Sequence, residues 1–192
     1  MKDISLAVLE GLIHNIRTPL NLIMGYTQQL QKQSDNPYLA RIYQATVKID
    51  DMMQGTWAAL EQRNPNVERV CLNEWMQSEL NLLNNYLQIK HHIIIHSRIP
   101  DVEVHAEISS LQLCNWLETL LLTVINNHNE APINLQMNLA EDACMKLDFV
   151  DMLPGGLAME AMGACFKGTE LLFAEYKMNK KGLGVEIEVK FR

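Results

Sequence analysis

No apolar run in the 192-residue chain approaches the ~18 consecutive residues of a membrane-spanning helix. The N-terminus also lacks the basic stretch and apolar core of a signal peptide, so the expected compartment is the cytoplasm. A basic surface is missing as well. With 16 Lys and Arg against 23 Asp and Glu, the net charge is -7, which argues against nucleic acid and anionic membrane as partners. Proline (6) and glycine (9) are too scarce for a low-complexity or fibrous chain. Cysteine numbers only 4, and Cys71, Cys114, Cys144 and Cys165 have no metal-ligand spacing; each sits among apolar residues and reads as a buried free thiol. No metal site is expected from His91, His92, His96 and His105 either, because neither CxxC nor HExxH spacing accompanies them.

What is present is hydrophobic residue in quantity, 48% against 20% charged, enough for a folded chain with a real core. Much of it is periodic. Leu6, Leu9, Ile13, Ile16, Leu20, Ile23, Thr27 and Leu30 alternate three and four apart, the spacing of a coiled-coil seam on one long helix. The segment QKQSDNPYL breaks the pattern with polar residues and an Asn-Pro turn signal, and proline suits the first turn of the helix that restarts. That second helix runs Leu39, Ile42, Thr46, Ile49, Met53, Thr56 and Leu60, up to QRNPN at Gln62 to Asn66. Two helices joined by a short loop lie antiparallel. A lone hairpin leaves much of each seam uncovered, so the expected assembly is a homodimer with a four-helix bundle.

His14 is one residue beyond Ile13 on the seam, on the outer flank, with Arg17 and Thr18 one turn later. These three side chains are expected to point to solvent together. Pro19 follows at once and removes a helical hydrogen bond, which in a helix interior costs ~3 kcal/mol. A purely structural benefit rarely favours that.

The stretch HNIRTPLNLIMGY, through His14, Arg17, Thr18, Pro19, Leu20, Gly25 and Tyr26, resembles the H-box of sensor histidine kinases, H-E-[LI]-R-T-P-L with a later G-[YF]. The resemblance implies that His14 is phosphorylated on a ring nitrogen and lies on the first helix of a dimeric hairpin. Asn15 stands where those kinases usually carry an acid that orients or deprotonates the imidazole, and an amide is no general base.

The rest of the chain resembles the family's ATP-binding domain in its order of elements. VCLNEWMQSELNLLNNYLQIKHHIIIHSRIP reads as strand, helix and strand, and LQLCNWLETLLLTVINNHNE as the nucleotide-binding helix. INLQMNL and CMKLDFVDM read as strands, and GTELLFAEYKMNKKGLGVEIEVKF as helix, turn and final strand. NKKGLG from Asn179 reads as a helix C-cap and turn. Trp57, Trp75 and Trp116 read as packing residues. The expected fold class is therefore α+β: a hairpin domain over residues 1–63 and an α/β sandwich over 67–192 with helices on one face of a mixed sheet.

Against the family's pattern, the nucleotide site is depleted. Of the two asparagines expected on the nucleotide-binding helix, Asn115 fits the first and Thr119 replaces the second, which would help hold magnesium. The family's D-x-G-x-G becomes DMLPGG from Asp151, keeping that carboxylate and Gly155 but placing Leu153 at a glycine position. Its G-T-G-L-G-L becomes GTELLF from Gly168, with Glu170 and Leu172 at glycine positions. A phosphate cradle needs bare backbone N–H groups, which side chains obstruct, and Glu170 adds negative charge. Between Leu157 and Gly168 the chain is also too short for the family's mobile lid.

The resemblance and its departures imply a histidine phosphotransferase on a decayed kinase scaffold. His14, supported by Arg17 and Thr18, would relay phosphoryl groups to or from a response-regulator receiver domain, with magnesium supplied by the receiver and no tightly bound ATP. Two alternatives stand beside it: a divergent kinase that still binds ATP through Asn115, Asp151 and Gly155, and a non-enzymatic regulator that binds a receiver or kinase.

Overall fold

The computed structural model describes residues 4–61, 63–128, 132–150, 156–170, 172–181 and 184–192. The chain divides into two compact units, Met1–Glu61 and Gln62–Arg192.

The first unit is a helical hairpin of α1 (Ile4–Gln31) and α2 (Pro37–Glu61). Pro37 occupies the first position of α2, where its missing N–H is not needed, and Asn36 accepts the Tyr38 N–H on Oδ1 at 3.0 Å. The heptad is split in use. Ile13, Leu20 and Thr27 on α1 are buried, as is Thr46 on α2. The buried threonines satisfy their hydroxyls within their own helices, Thr27 donating to the Ile23 carbonyl at 2.6 Å and Thr46 to the Ile42 carbonyl at 2.7 Å. Each therefore presents a methyl group to the interface at little polar cost. The other half of the seam, Ile16, Ile23 and Leu30 on α1 with Ile42 and Ile49 on α2, is exposed.

The second unit begins with β1 (Glu68–Cys71), α3 (Leu72–Leu83), the single turn α4 (Leu87–Lys90) and β2 (Ile93–Arg98). It continues with β3 (His105–Ile108), α5 (Ser110–Asn126), β4 (Ile133–Leu139), β5 (Cys144–Val150), α6 (Gly156–Ala164), β6 (Phe173–Lys181) and β7 (Gly184–Phe191). β1 and β3 form a separate antiparallel pair. The main sheet has five strands in the order β2-β4-β5-β7-β6. β2 runs parallel to β4 and the remaining neighbours are antiparallel, so the sheet is mixed.

Alternation divides the sheet into two faces. Leu135, Met137 and Leu139 lie opposite Phe149, Leu147 and Met145, which in turn lie opposite Val185, Ile187 and Val189. These rows join Leu72, Trp75, Met76 and Leu80 of α3 and Leu113, Leu117, Leu120 and Leu121 of α5 in one buried core. The other face is polar. Lys146 pairs with Glu186 at 3.2 Å and Lys181 with the same carboxylate at 3.1 Å, which together hold the Glu186 carboxyl below its ordinary range.

Three expectations need correction. The segment after Leu172 is the edge strand β6, not a helix; its pairing with β7 along Phe173 to Lys181 overrides a local sequence rich in helix-compatible Ala, Glu, Lys and Met. NKKGLG is consequently the β6–β7 connection and not a helix C-cap, although Gly182 and Leu183 lie outside the described residues. Its last glycine has a packing reason: a Cβ on Gly184 would stand 2.2 Å from the Phe149 carbonyl oxygen on β5. Third, the four cysteines are free, but only Cys114 is buried. The short helix α6 had no clear signal in the sequence.

Candidate functional site

α1 carries the phosphoacceptor candidate. His14 is exposed, flanked by exposed Asn15 and Thr18, while Ile13 beside it turns into the hairpin. The helix is continuous through Pro19, whose ring nitrogen cannot donate to the Asn15 carbonyl. The Thr18 hydroxyl donates to the His14 carbonyl at 3.4 Å, a long bond on an exposed group that leaves the hydroxyl free to rotate toward a ligand. His14 and Thr18 thus share an accessible patch.

Arg17, part-exposed, turns instead toward α2. Its Nε donates to Asp50 Oδ1 of α2 at 3.1 Å, and Gln54 Nε2 donates to the other oxygen of the same carboxylate at 2.5 Å. The guanidinium therefore spans the hairpin one turn from His14, tying α1 to α2 at the level of the exposed imidazole. Asp50 was missed in the sequence, yet a signal existed. Arg17 and Asp50 lie at nearly equal distances along the chain from the loop between Gln31 and Pro37, so an antiparallel hairpin sets them opposite each other.

α5 carries the other candidates. Its N-terminus is capped by Ser109, whose Oγ accepts the Gln112 N–H at 3.3 Å. The apolar stripe that buries α5 leaves Asn115 and Thr119 exposed on its opposite side. The Thr119 hydroxyl donates to the Asn115 carbonyl at 2.7 Å, which occupies its proton within the helix.

The segment from Gly168 departs from a phosphate cradle. Gly168 is exposed with φ of +81°, the left-handed conformation that glycine adopts without strain. Thr169, however, is buried and donates to the Phe166 carbonyl at 2.8 Å, and Leu172 and Phe173 are buried in the core. The chain then enters β6 and not a helix, so among the described residues no helix N-terminus follows Gly168 to meet an anion. What joins α5 to this segment is aromatic: the Trp116 ring meets Phe166 edge-on at 5.5 Å and Phe173 at 4.7 Å. Asp151 and Gly155 lie outside the described residues. On the hairpin, Thr18 bonds to the His14 backbone while Arg17 turns to Asp50; among the described residues of the depleted nucleotide set, Asn115 and Thr119 are in contact with each other.

A second polar cluster was not anticipated. Arg63 donates to Glu79 of α3 at 3.1 Å and also to Glu118 of α5. Cys114 donates to the second Glu79 oxygen at 3.2 Å and accepts from the Trp75 indole at 3.2 Å. Burial, then the adjacent Glu79 carboxylate, pushes the Cys114 thiol up to about 12. Burial likewise raises the Glu79 carboxyl despite the neighbouring guanidinium. The cluster draws on residues far apart in sequence and leaves no local motif. Among the described residues, no group of three or more His, Cys, Asp or Glu side chains is arranged to hold a metal ion. No helix of the described residues is long and apolar enough to cross a membrane.

A helical hairpin with an exposed histidine, and a two-layer α/β unit with a mixed five-stranded sheet, define the class of fold. Solved structures similar to it include histidine kinase domains. The Acinetobacter baumannii histidine kinase AdeS is 13% identical, covering 93% of this chain and 96% of that one, with a TM-score of 0.42. The cytoplasmic segment of histidine kinase QseC is 12% identical over 77% of this chain and 93% of that one, at a TM-score of 0.45. The catalytic domain of histidine kinase ThkA is 13% identical over 66% and 95%, at 0.46. No family model and no curated protein matches the chain. At these identities the likeness concerns the fold alone, and no residue's role passes from those proteins to this chain.

Proposed function

We propose that the protein is a histidine phosphotransferase of two-component signalling, taking phosphoryl groups from, or giving them to, a response-regulator receiver domain through His14. The observation that carries this reading is the contrast between two sites: His14 stands exposed beside Thr18, while Leu172 and Phe173 are buried where a nucleotide cradle would need bare backbone. In transfer to this chain, the lone pair of a neutral imidazole nitrogen forms the N–P bond, and the P–O bond to the receiver aspartate breaks, its electron pair leaving on the carboxylate. Magnesium is supplied at the receiver's own site. Arg17 acts through Asp50, holding the helix face that presents His14, and Thr18 offers a hydroxyl to the phosphoryl group or a water. In this account residues 1–63 form the phosphotransfer domain, and residues 67–192 are a degenerate ATPase-like domain that adds a docking surface.

A homodimer belongs to the same proposal. Its support is the exposed row of Ile16, Ile23, Leu30, Ile42 and Ile49, which a second copy would cover in a four-helix bundle.

Incubation with a phosphorylated cognate receiver should label the wild-type protein and not His14→Ala; equal labelling of both would sink the proposal. A second reading, a divergent kinase that retains ATP, draws on Asn115, which remains exposed on α5. It requires magnesium-dependent ATP binding at sub-millimolar concentration, and titration should detect none.

A further inference from the structure

We propose that Arg63, Glu79 and Glu118 form a latch that holds the segment Arg63–Asn66 on the first turn of α5, so that segment and helix end open together. One guanidinium serves two carboxylates from different helices. The Arg63 side chain is 14% exposed, Glu79 2% and Glu118 27%, so the charges are largely withdrawn from water. Each Glu79 oxygen has a partner, Arg63 on one and the Cys114 thiol on the other. Withdrawing the guanidinium would leave two acids facing each other, one of them deeply buried.

The backbone next to Arg63 is fastened at the same place. The Asn64 N–H donates to Ser110 Oγ at 2.7 Å, and its carbonyl accepts from Ser109 Oγ at 2.9 Å and from the Leu111 N–H at 3.1 Å. That carbonyl satisfies one of the orphan donors of α5's first turn, so the segment completes the helix cap. The Asn64 side chain continues the fastening, donating to Glu68 at 2.8 Å and accepting the Asn66 N–H at 3.0 Å. Charges and cap act on consecutive residues, which couples them: the cap bonds cannot part without moving Arg63 from its two carboxylates.

Only Gln62 separates Arg63 from Glu61, the last residue of α2. The latch is a conformational device independent of whether His14 takes its phosphoryl group from a receiver or from ATP.

Amide hydrogen exchange on the full chain tests the latch. Glu118→Gln removes one charge at a partly exposed position, and hydrogen bonds to charged groups are worth enough for protection of the Asn64 and Leu111 amides to fall roughly tenfold or more. Amides of β5 and β7 should stay within about twofold of wild type, since local opening leaves the core intact. Limited trypsinolysis gives an independent reading, with cleavage after Arg63 slow in wild type and faster in Glu118→Gln by a similar factor. Arg63→Lys, which keeps the charge but loses the reach by which Nη2 alone bridges Glu79 and Glu118, should accelerate cleavage at the same bond. Unchanged protection and cleavage in folded Glu118→Gln and Arg63→Lys would overturn the latch. So would a loss of protection spread equally over β5 and β7.

Discussion

In the hairpin, Ile16, Ile23, Leu30, Ile42 and Ile49 are between 40% and 48% exposed, whereas α5 of the α/β unit buries Leu113, Leu117, Leu120 and Leu121 completely. Both units carry amphipathic helices, yet only one finishes its core within a single chain. The hairpin leaves His14 and Thr18 exposed on a body half of whose apolar seam is uncovered within the chain. The α/β unit instead packs Trp116, Phe166, Leu172 and Phe173 into its own core. Under the proposed function, the difference separates two kinds of site: one open to another protein, the other filled by the protein's own side chains.

The largest effect is expected in the α/β unit. Arg63→Met leaves Glu79 and Glu118 without their cation and should cost ~3–5 kcal/mol in urea unfolding. Its companion is a pH effect. Burial raises the folded-state carboxyl of Glu79 above its ordinary value, so the folded chain binds that proton more tightly than the unfolded chain. The resulting stability is fully present below the ordinary carboxylate pKa of 4.5 and is lost as pH rises through the folded value. Wild type should therefore lose stability relative to Glu79→Gln as pH is raised from acid toward neutral; a gap that does not change with pH would contradict this.

Next, Leu120→Ala on the fully buried face of α5 should cost ~2–5 kcal/mol in the same unfolding measurement. A loss below ~1 kcal/mol would mean that the α/β core is looser than its burial indicates. Ile23→Asp on the hairpin, by contrast, should leave the α/β unit's unfolding unchanged but convert a dimeric mass to a monomeric one in light scattering. A wild-type protein already monomeric at micromolar concentration would break the comparison at this point. Smallest is Asp50→Ala, which removes the partner of Arg17. The pair is part-exposed, Arg17 at 40% and Asp50 at 20%, so solvent screening limits the stability loss to ~0.2–1 kcal/mol.

How far the sequence reveals each unit follows the same contrast. The heptads announce two helices because a repeat of three and four survives any local noise, and the Asn-Pro signal marks the turn between them. They do not tell which half of the seam meets the other helix of the same chain; that division, Ile13 and Leu20 inward and Ile16 and Ile23 outward, is set by the hairpin's geometry. In the α/β unit the alternation of β4 and β5 is legible because one face is apolar throughout. β6 is not legible, since most of an edge strand is exposed and only its register against β7 identifies it. The Arg63 cluster has no sequence signature either, joining residues 16 and 55 positions apart. His14 stands out for the opposite reason. Its neighbours Thr18 and Pro19 are adjacent in the chain, so the local string carries the whole pattern.

The account's central claim is that phosphate reaches His14 from a partner protein and not from ATP held by the α/β unit. One measurement addresses it directly: the full chain is offered radiolabelled magnesium-ATP in one reaction and a radiolabelled phosphoreceiver in another, and acid-labile, base-stable label at His14 is followed in time. The account predicts label from the phosphoreceiver alone, abolished by His14→Ala. Label at His14 from magnesium-ATP in the absence of any other protein would contradict it.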